Sequence, residues 1–399
     1  MRNPSRYRLN FAVTVLVLIM ALAVVYPNLI LEAQPEPVML SDDNKLAHLR
    51  SDDSLAKKIG SMLLIGFRGK SINNENHIVR DIKEHHLGGV ILFDYDVPKE
   101  QYDRNIKNPA QTKQLVTDLQ KLTSEPLFIS IDQEGGKVNR LKKRYGFEKS
   151  VSAEYLGTIS NSDTTRYYAK LAAKQLSDLG INMNFAPLLD VNTNPDNPVI
   201  GNLKRSFSGD PAQVTKQAEM FIDQFSKFGI IPVAKHFPGH GSSKKDSHLG
   251  VVDVTETWNK LELEPYKALE SQNLLSVVMT AHIFNKNIDS NYPATLSQKT
   301  ITGLLRDDIG FNGVVISDDM QMKAIRTQYG LEEAIVRSLN AGVDILLFGN
   351  NSIYDKNIVP KAVKIIKEAI DSGKLSEATI DKSYKRIQKL RVKLLSAER

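Results

Sequence analysis

The sequence predicts an α/β fold, a (β/α)8 TIM-like barrel that forms a single domain and ends in closing helices. Eight short apolar runs, rich in β-branched residues, alternate with longer stretches of helical period. Runs such as Val-Val-Ile-Ser at 314–317 are almost wholly apolar, which is typical of strands buried on both faces of a parallel sheet. Acidic and histidine residues directly follow several runs, where a barrel places its functional side chains. A doubly wound open sheet satisfies the first two observations and is the alternative fold.

The predicted strands are separated by segments that are long enough to hold helices. In chain order the strands cover 61–67, 89–93, 126–131, 181–185, 231–235, 276–280, 313–317 and 343–348. The clearest intervening helices cover 164–179, 211–228 and 331–340. The residues after the last strand predict two closing helices, 358–372 and 377–396, and leave no room for a second large domain.

Helix boundaries are marked by residues that favour helix ends. Asp210 stands before Pro211, which places a capping carboxylate ahead of a proline at the first helical position. Glycines between a predicted helix and the next strand favour a left-handed helix end. These glycines are Gly180, Gly229, Gly310 and Gly342.

The first residues of the chain have the pattern of an export signal. Three arginines precede an apolar run at 11–25, and no cysteine follows that would allow a lipoprotein anchor. The run is predicted to be either a cleaved signal peptide or a retained membrane anchor, and the barrel is predicted to be exported to the periplasm or cell envelope. The predicted divisions are 1–33 for the signal or anchor, 34–53 for a linker and 54–399 for the catalytic barrel.

The composition excludes several classes of function. The chain of 399 residues has no cysteine, so disulfides, a thiol nucleophile, cysteine-bound zinc and iron–sulfur clusters are excluded. Its 52 basic and 46 acidic residues are spread along the sequence without a basic cluster or a recognition motif. Nucleic acid is therefore not an expected partner.

The most specific motif is Lys-His-Phe-Pro-Gly-His-Gly at 235–241, followed by Asp246 and His248. The last two residues are two positions apart, which lets their side chains share one side only in extended or loop structure. The carboxylate can then orient the imidazole, and the pair can donate and accept a proton. A structural pair on a surface loop is the alternative.

A metal site is the second alternative for this motif. His236 and His240 are four residues apart, as metal-binding histidines on one helix face are. Pro238 and Gly239 break the helix that would align them. The sequence therefore predicts no metal and no cofactor.

Two further segments end predicted strands with carboxylates. Asp318 and Asp319 follow 313–317, and strand alternation predicts that only one of them points to the barrel axis. Such an acid can attack an anomeric carbon or bind a metal, or it can simply cap the next helix. Asp132 follows the third strand, with Arg140 further along the loop, and these residues suit either sugar hydroxyls or a solvated turn.

From about residue 55 to 348 the chain resembles the glycoside hydrolase family 3 β-N-acetylhexosaminidases, particularly the single-domain enzymes that act on peptidoglycan fragments. The motif at 235–248 carries the resemblance. It implies that Asp318 is the nucleophile and that His248 is the general acid/base, oriented by Asp246. It also implies a set of residues that bind the N-acetylglucosamine unit: Asp132, Arg140, Arg205, Lys235 and His236.

The resemblance implies hydrolysis of terminal β-linked N-acetylglucosamine with retained configuration, through a covalent glycosyl–aspartate intermediate. The carbohydrate substrate is a peptidoglycan fragment or a chitin oligosaccharide, and the acceptor is water or phosphate. The alternatives are a β-glucosidase or β-xylosidase of the same fold, a metal-dependent barrel hydrolase, and a non-catalytic exported barrel that binds glycan.

Overall fold

The structure is a computed structural model that describes residues 53–397, except Asp103 and His248. The predicted export segment, 1–33, and nearly all of the predicted linker lie outside the described residues. In the part of the chain that is described, no helix is both long enough and apolar enough to cross a membrane.

Eight strands form one sheet at the centre of the molecule. Every residue of these strands is buried, as the nearly continuous apolar runs predict for strands covered on both faces. Their bounds are β1 Leu63–Gly66, β2 Gly89–Leu92, β3 Phe128–Ile131, β4 Met183–Asn184, β5 Ile231–Phe237, β7 Val277–Thr280, β9 Val314–Ile316 and β10 Leu346–Phe348. A separate small sheet, which the sequence did not suggest, pairs β6 Val252–Asp253 with β8 Ile283–Phe284.

The order of the strands shows a barrel. Neighbours in the large sheet run β10-β1-β2-β3-β4-β5-β7-β9, and all pairs are parallel. The two ends of this sheet meet at a parallel bridge between Ile316 and Ile345, which closes the ring. The barrel prediction is confirmed, and the open-sheet alternative is wrong because its strand order would reverse at a switch point.

Helices follow the strands and cover the outside of the barrel. Their bounds are α1 Leu55–Ser61, α2 His77–His85, α3 Pro109–Gln120, α4 Ala153–Ile159, α5 Ser162–Leu179, α6 Pro211–Lys227, α7 Glu264–Ser271, α8 Lys323–Ala341, α9 Ile358–Asp371 and α10 Glu377–Ala397. A helix with wider, π-type turns covers Lys299–Asp308. The two closing helices that the sequence predicts are α9 and α10.

The helix ends follow the chemistry read from the sequence. The Asp210 carboxylate accepts the backbone N–H of Ala212 at 3.0 Å, which caps α6. Gly180 and Gly342 end α5 and α8 with φ of 78° and 107°. The α8 helix begins earlier than predicted and is interrupted at Gly330, where φ is 71°. These helix ends set where each following strand begins, and thereby where its carboxyl end reaches the mouth of the barrel.

Candidate active site

The carboxyl ends of the strands bring the predicted site residues to one end of the barrel. A cavity of about 520 Å³ opens there, in the range of small-molecule sites. Seven of the eight residues predicted for the site line it: Asp132, Arg140, Arg205, Lys235, His236, Asp246 and Asp318. The eighth, His248, lies outside the described residues.

One wall of the cavity is a network of ion pairs around Lys235. Its Nζ lies 2.8 Å from Asp132 Oδ1 and 2.7 Å from Glu134 Oε1, and the side chain is only 2% exposed. Arg205 binds the same Glu134 carboxylate through two hydrogen bonds of 2.7 Å. Arg140 Nη2 lies 3.4 Å from Asp132 Oδ2. Each carboxylate is thus held by two cations.

These contacts keep both carboxylates ionised. Burial alone would raise the pKa of Glu134, but the charges of Arg205 and Lys235 outweigh it and hold this pKa at about 2. Burial would also raise the pKa of Asp132, but the charges of Lys235 and Arg140 outweigh this effect and lower the pKa below its usual value. With three cations and two anions, the network offers fixed donors and acceptors to a ligand, as recognition of sugar hydroxyls requires.

Glu134 is a member of this network that the sequence analysis did not assign. Its side chain is 4% exposed, and it connects Lys235 to Arg205, which lies 71 residues further along the chain. Its position two residues after Asp132 was the available signal, because alternate residues of an extended segment share one side.

Asp190 is a second residue that the sequence analysis did not assign to the site. It is fully buried, and its Oδ2 lies 2.7 Å from His236 Nδ1. Its Oδ1 accepts the backbone N–H groups of His236, at 3.2 Å, and of His240, at 2.8 Å. Burial would raise the pKa of Asp190, but His236 outweighs this effect and holds it at about 2. Asp190 therefore orients the His236 ring and fixes the turn after β5.

The two histidines of the motif have separate partners. His240 Nε2 lies 3.3 Å from Ser247 Oγ, whereas His236 binds Asp190. Burial and the charge of His236 lower the pKa of His240 to about 4. No group of three or more metal-binding side chains comes together in residues 53–397 as described.

The adjacent acids after β9 differ in their partners. Asp319 Oδ1 accepts the backbone N–H groups of Gln321 and Gly349, each at 3.0 Å, so this carboxylate ties two loops together. Asp318 Oδ1 accepts the N–H of Asp319 at 2.8 Å. Both residues line the cavity. The alternation expected of a strand does not apply to them, because β9 ends at Ile316, before either acid.

Comparison with known proteins relates the chain to a family of glycosyl hydrolases. The model of the glycosyl hydrolase family 3 N-terminal domain matches residues 54–390. The chain is 34% identical over 339 residues to beta-hexosaminidase A of Pseudoalteromonas piscicida, covering 78% of this chain and 54% of that protein. It is 35% identical over 295 residues to a beta-hexosaminidase of Tolumonas auensis, covering 72% of this chain and 83% of the relative.

Among solved structures, the chain is similar to a glycoside hydrolase family 3 beta-N-acetylglucosaminidase from Paenibacillus sp. str. FPU-7. The TM-score is 0.79 at 34% identity, over 87% of this chain and 64% of the Paenibacillus chain. The chain thus spans about half of the Pseudoalteromonas protein and less than two thirds of the Paenibacillus one.

Proposed function

The chain belongs to glycosyl hydrolase family 3, and from that premise we propose that it is a retaining β-N-acetylglucosaminidase. It removes terminal β-linked N-acetylglucosamine from peptidoglycan fragments or chitin oligosaccharides. The observation that carries the proposal is the cavity at the barrel mouth, where Asp318 stands with the ion-pair network of Lys235. The beta-hexosaminidase names of its relatives agree with it.

In the first step the Asp318 carboxylate attacks the anomeric carbon, while His248 gives its proton to the departing glycosidic oxygen. The bond from the anomeric carbon to the leaving group breaks, and an ester bond to Asp318 forms. In the second step His248 takes a proton from water, whose oxygen attacks the anomeric carbon and releases Asp318. Two inversions give net retention. The usual retaining pair is two carboxyl groups, so the imidazole of His248, oriented by Asp246, replaces one of them.

The other residues of the cavity bind the sugar. Asp132, Arg140, Arg205 and Lys235 form a preorganised set of charged donors and acceptors for the hydroxyl and acetamido groups. His236 presents a ring whose orientation is fixed by buried Asp190. The ion pairs lock these side chains before substrate arrives, so little conformational entropy is lost on binding.

An exported location is part of the proposal. It rests on the arginines and the apolar run at 11–25, a pattern typical of secretory signals. A barrel in the periplasm or cell envelope would meet wall-derived glycans directly.

The proposal is tested by the release of chromophore from an aryl β-N-acetylglucosaminide and from the matching aryl β-glucoside and β-xyloside. We expect turnover of the acetamido sugar alone. Preference for the glucoside or xyloside would support the neutral-sugar alternative. Turnover of neither aryl sugar nor chitobiose, with chitobiose bound in a calorimeter, would support a glycan-binding protein. Loss of activity with a chelator would support a metal-dependent hydrolase.

His248→Ala is expected to affect substrates according to their leaving groups. With chitobiose, kcat/KM should fall by about 10²–10⁴-fold, the usual contribution of a general acid. With a dinitrophenyl glycoside it should fall by less than about tenfold, because that leaving group departs without a proton. Asp246→Asn should show the same selectivity to a smaller extent. His85→Ala, at the end of α2, is the control and should change neither value. Equal losses on both substrates would exclude His248 as the leaving-group acid.

A further inference from the structure

Glu262 is a fully buried acid close to the active site to which no role has been given. It lies in the short 3-10 helix Lys260–Leu263, just before α7. Its Oε2 accepts the backbone N–H of Gly241 at 2.9 Å. The hydroxyl and the backbone N–H of Ser242, the next residue of the loop, also face this carboxyl and lower its pKa. Burying a carboxyl is costly, so its position against the loop at 241–242 calls for a reason beyond packing.

The partner of Glu262 is the beginning of the loop that carries Asp246 into the cavity. Asp190 fixes this loop at the N–H of His240, and Glu262 fixes it at the next residue, Gly241. The packing is tight on both sides. A Cβ on Gly241 would lie 1.7 Å from the carbonyl oxygen of Val191, and a Cβ on Gly239 would lie 2.7 Å from Glu262 Oε2. The loop therefore leaves the barrel in one direction, set by two buried carboxyl groups.

We propose that Glu262 is a positioning residue for proton transfer: by holding the N–H of Gly241, it fixes the start of the loop that brings Asp246 to the cavity and carries the proposed acid/base, His248, two residues further along the chain. The proposal rests on the proposed function, since it concerns the acid/base step of that reaction. Glu262 acts through the loop and does not touch the substrate.

The electrostatic surroundings agree with this role. Burial, together with the charge of Asp190, raises the pKa of Glu262 to about 7. Burial and the charges of Asp190 and Glu262 in turn raise the pKa of Tyr266, which is buried on α7. A carboxyl that is neutral in mildly acidic solution still has a carbonyl oxygen that accepts the N–H of Gly241. Glutamine offers the same oxygen, so Glu262→Gln is expected to keep the contact while Glu262→Ala removes it.

The test compares chitobiose with the dinitrophenyl glycoside for wild type, Glu262→Gln and Glu262→Ala. For Glu262→Ala we expect kcat/KM on chitobiose to fall by about 10²-fold, the effect of displacing a reacting group by about 1 Å. The value for the dinitrophenyl glycoside should fall by less than about threefold. Glu262→Gln should stay within about threefold of wild type on both substrates. Glu264→Ala, an exposed site two residues away, is the control and should leave both values unchanged.

The ratio of the two kcat/KM values does not depend on the fraction of folded enzyme, because that fraction multiplies both. A variant that only destabilises the protein therefore leaves the ratio at its wild-type value, and this result would overturn the proposal. If Glu262→Ala fails to fold, Glu262→Asp is tested in its place. The aspartate side chain is one methylene shorter, which moves its carboxylate away from the N–H of Gly241. It must therefore lower kcat/KM on chitobiose relative to that on the dinitrophenyl glycoside. Should His248→Ala change the ratio while neither Glu262 variant does, only the role of Glu262 is wrong. If wild type hydrolyses neither substrate, the proposed function is wrong as well.

Discussion

Asp318→Ala is expected to lower kcat on every β-N-acetylglucosaminide by at least about 10⁴-fold, because the proposed covalent intermediate cannot form without the carboxylate. KM for the aryl glycoside should change little, since the ion-pair network around Lys235, which is proposed to bind the sugar, remains. Initial rates with the dinitrophenyl glycoside measure both constants. Asp307→Ala, at an exposed position near the end of Lys299–Asp308, is the matched control and should match wild type.

Addition of azide to the same variant tests whether Asp318 is the nucleophile by a gain of activity. The space vacated by the carboxylate admits a small anion, which attacks the anomeric carbon from that face. We expect azide to restore turnover of Asp318→Ala on the dinitrophenyl glycoside and to yield the α-glycosyl azide, detected by NMR. Wild type, which inverts twice in the proposed mechanism, should give the β product. A β-azide from the variant would mean that another residue is the nucleophile.

Lys235→Met is expected to have the largest effect on stability. Lys235 is 2% exposed and lies between two carboxylates, so its loss leaves the half-buried Asp132 and the buried Glu134 side chain with one cation each. Breaking one partner out of a buried ion pair typically costs about 3–5 kcal/mol. We expect a loss of that size in the free energy of unfolding, measured by urea denaturation at pH 7, and a rise in KM.

The pH dependence of this variant has a definite sign. Lys235 lowers the pKa of Asp132 and Glu134, so the stability that it provides is present above their unfolded pKa values and is lost as the pH falls through the folded ones. The stability difference between wild type and Lys235→Met should therefore shrink below about pH 4. Lys227→Met removes an exposed ion pair with Asp223 and should cost less than about 1 kcal/mol. A similar loss in both variants would mean that the buried network contributes little.

The positions of the strands were predictable because strands that are buried on both faces have nearly continuous apolar sequences. The residues at which the strands begin and end were harder to predict. The run at 61–67 begins with Ser61, which belongs to the end of α1. Near 181–185 only Met183 and Asn184 pair as a strand. A strand extends only as far as its hydrogen bonds to the neighbouring strands. The apolar run in the sequence extends further wherever the adjoining loop is also buried, so it does not mark the strand end.

The candidate site was predictable where its residues belong to a motif, and not where distant segments meet. Asp132 was noted because it directly follows an apolar run, and Lys235 because it begins the motif at 235–241, although they are 103 residues apart. Their binding roles were implied by the family resemblance. Glu262 looks in the sequence like an ordinary acid near the start of a helix, where the helix dipole favours negative charge. Its burial follows from the path of the loop around Gly241, which no local pattern encodes.

The closing bridge between Ile316 and Ile345 has a consequence for the synthesis of the protein. Gly349, whose N–H binds the carboxylate of Asp319 beside the proposed nucleophile, follows β10, and β10 pairs with β1 from the start of the barrel. Contacts between the two ends of a long sequence form late in folding, because the intervening chain must first be ordered. A chain still emerging from the ribosome therefore lacks the finished pocket around Asp318 and Asp319, and the proposed activity requires that the whole barrel has been made.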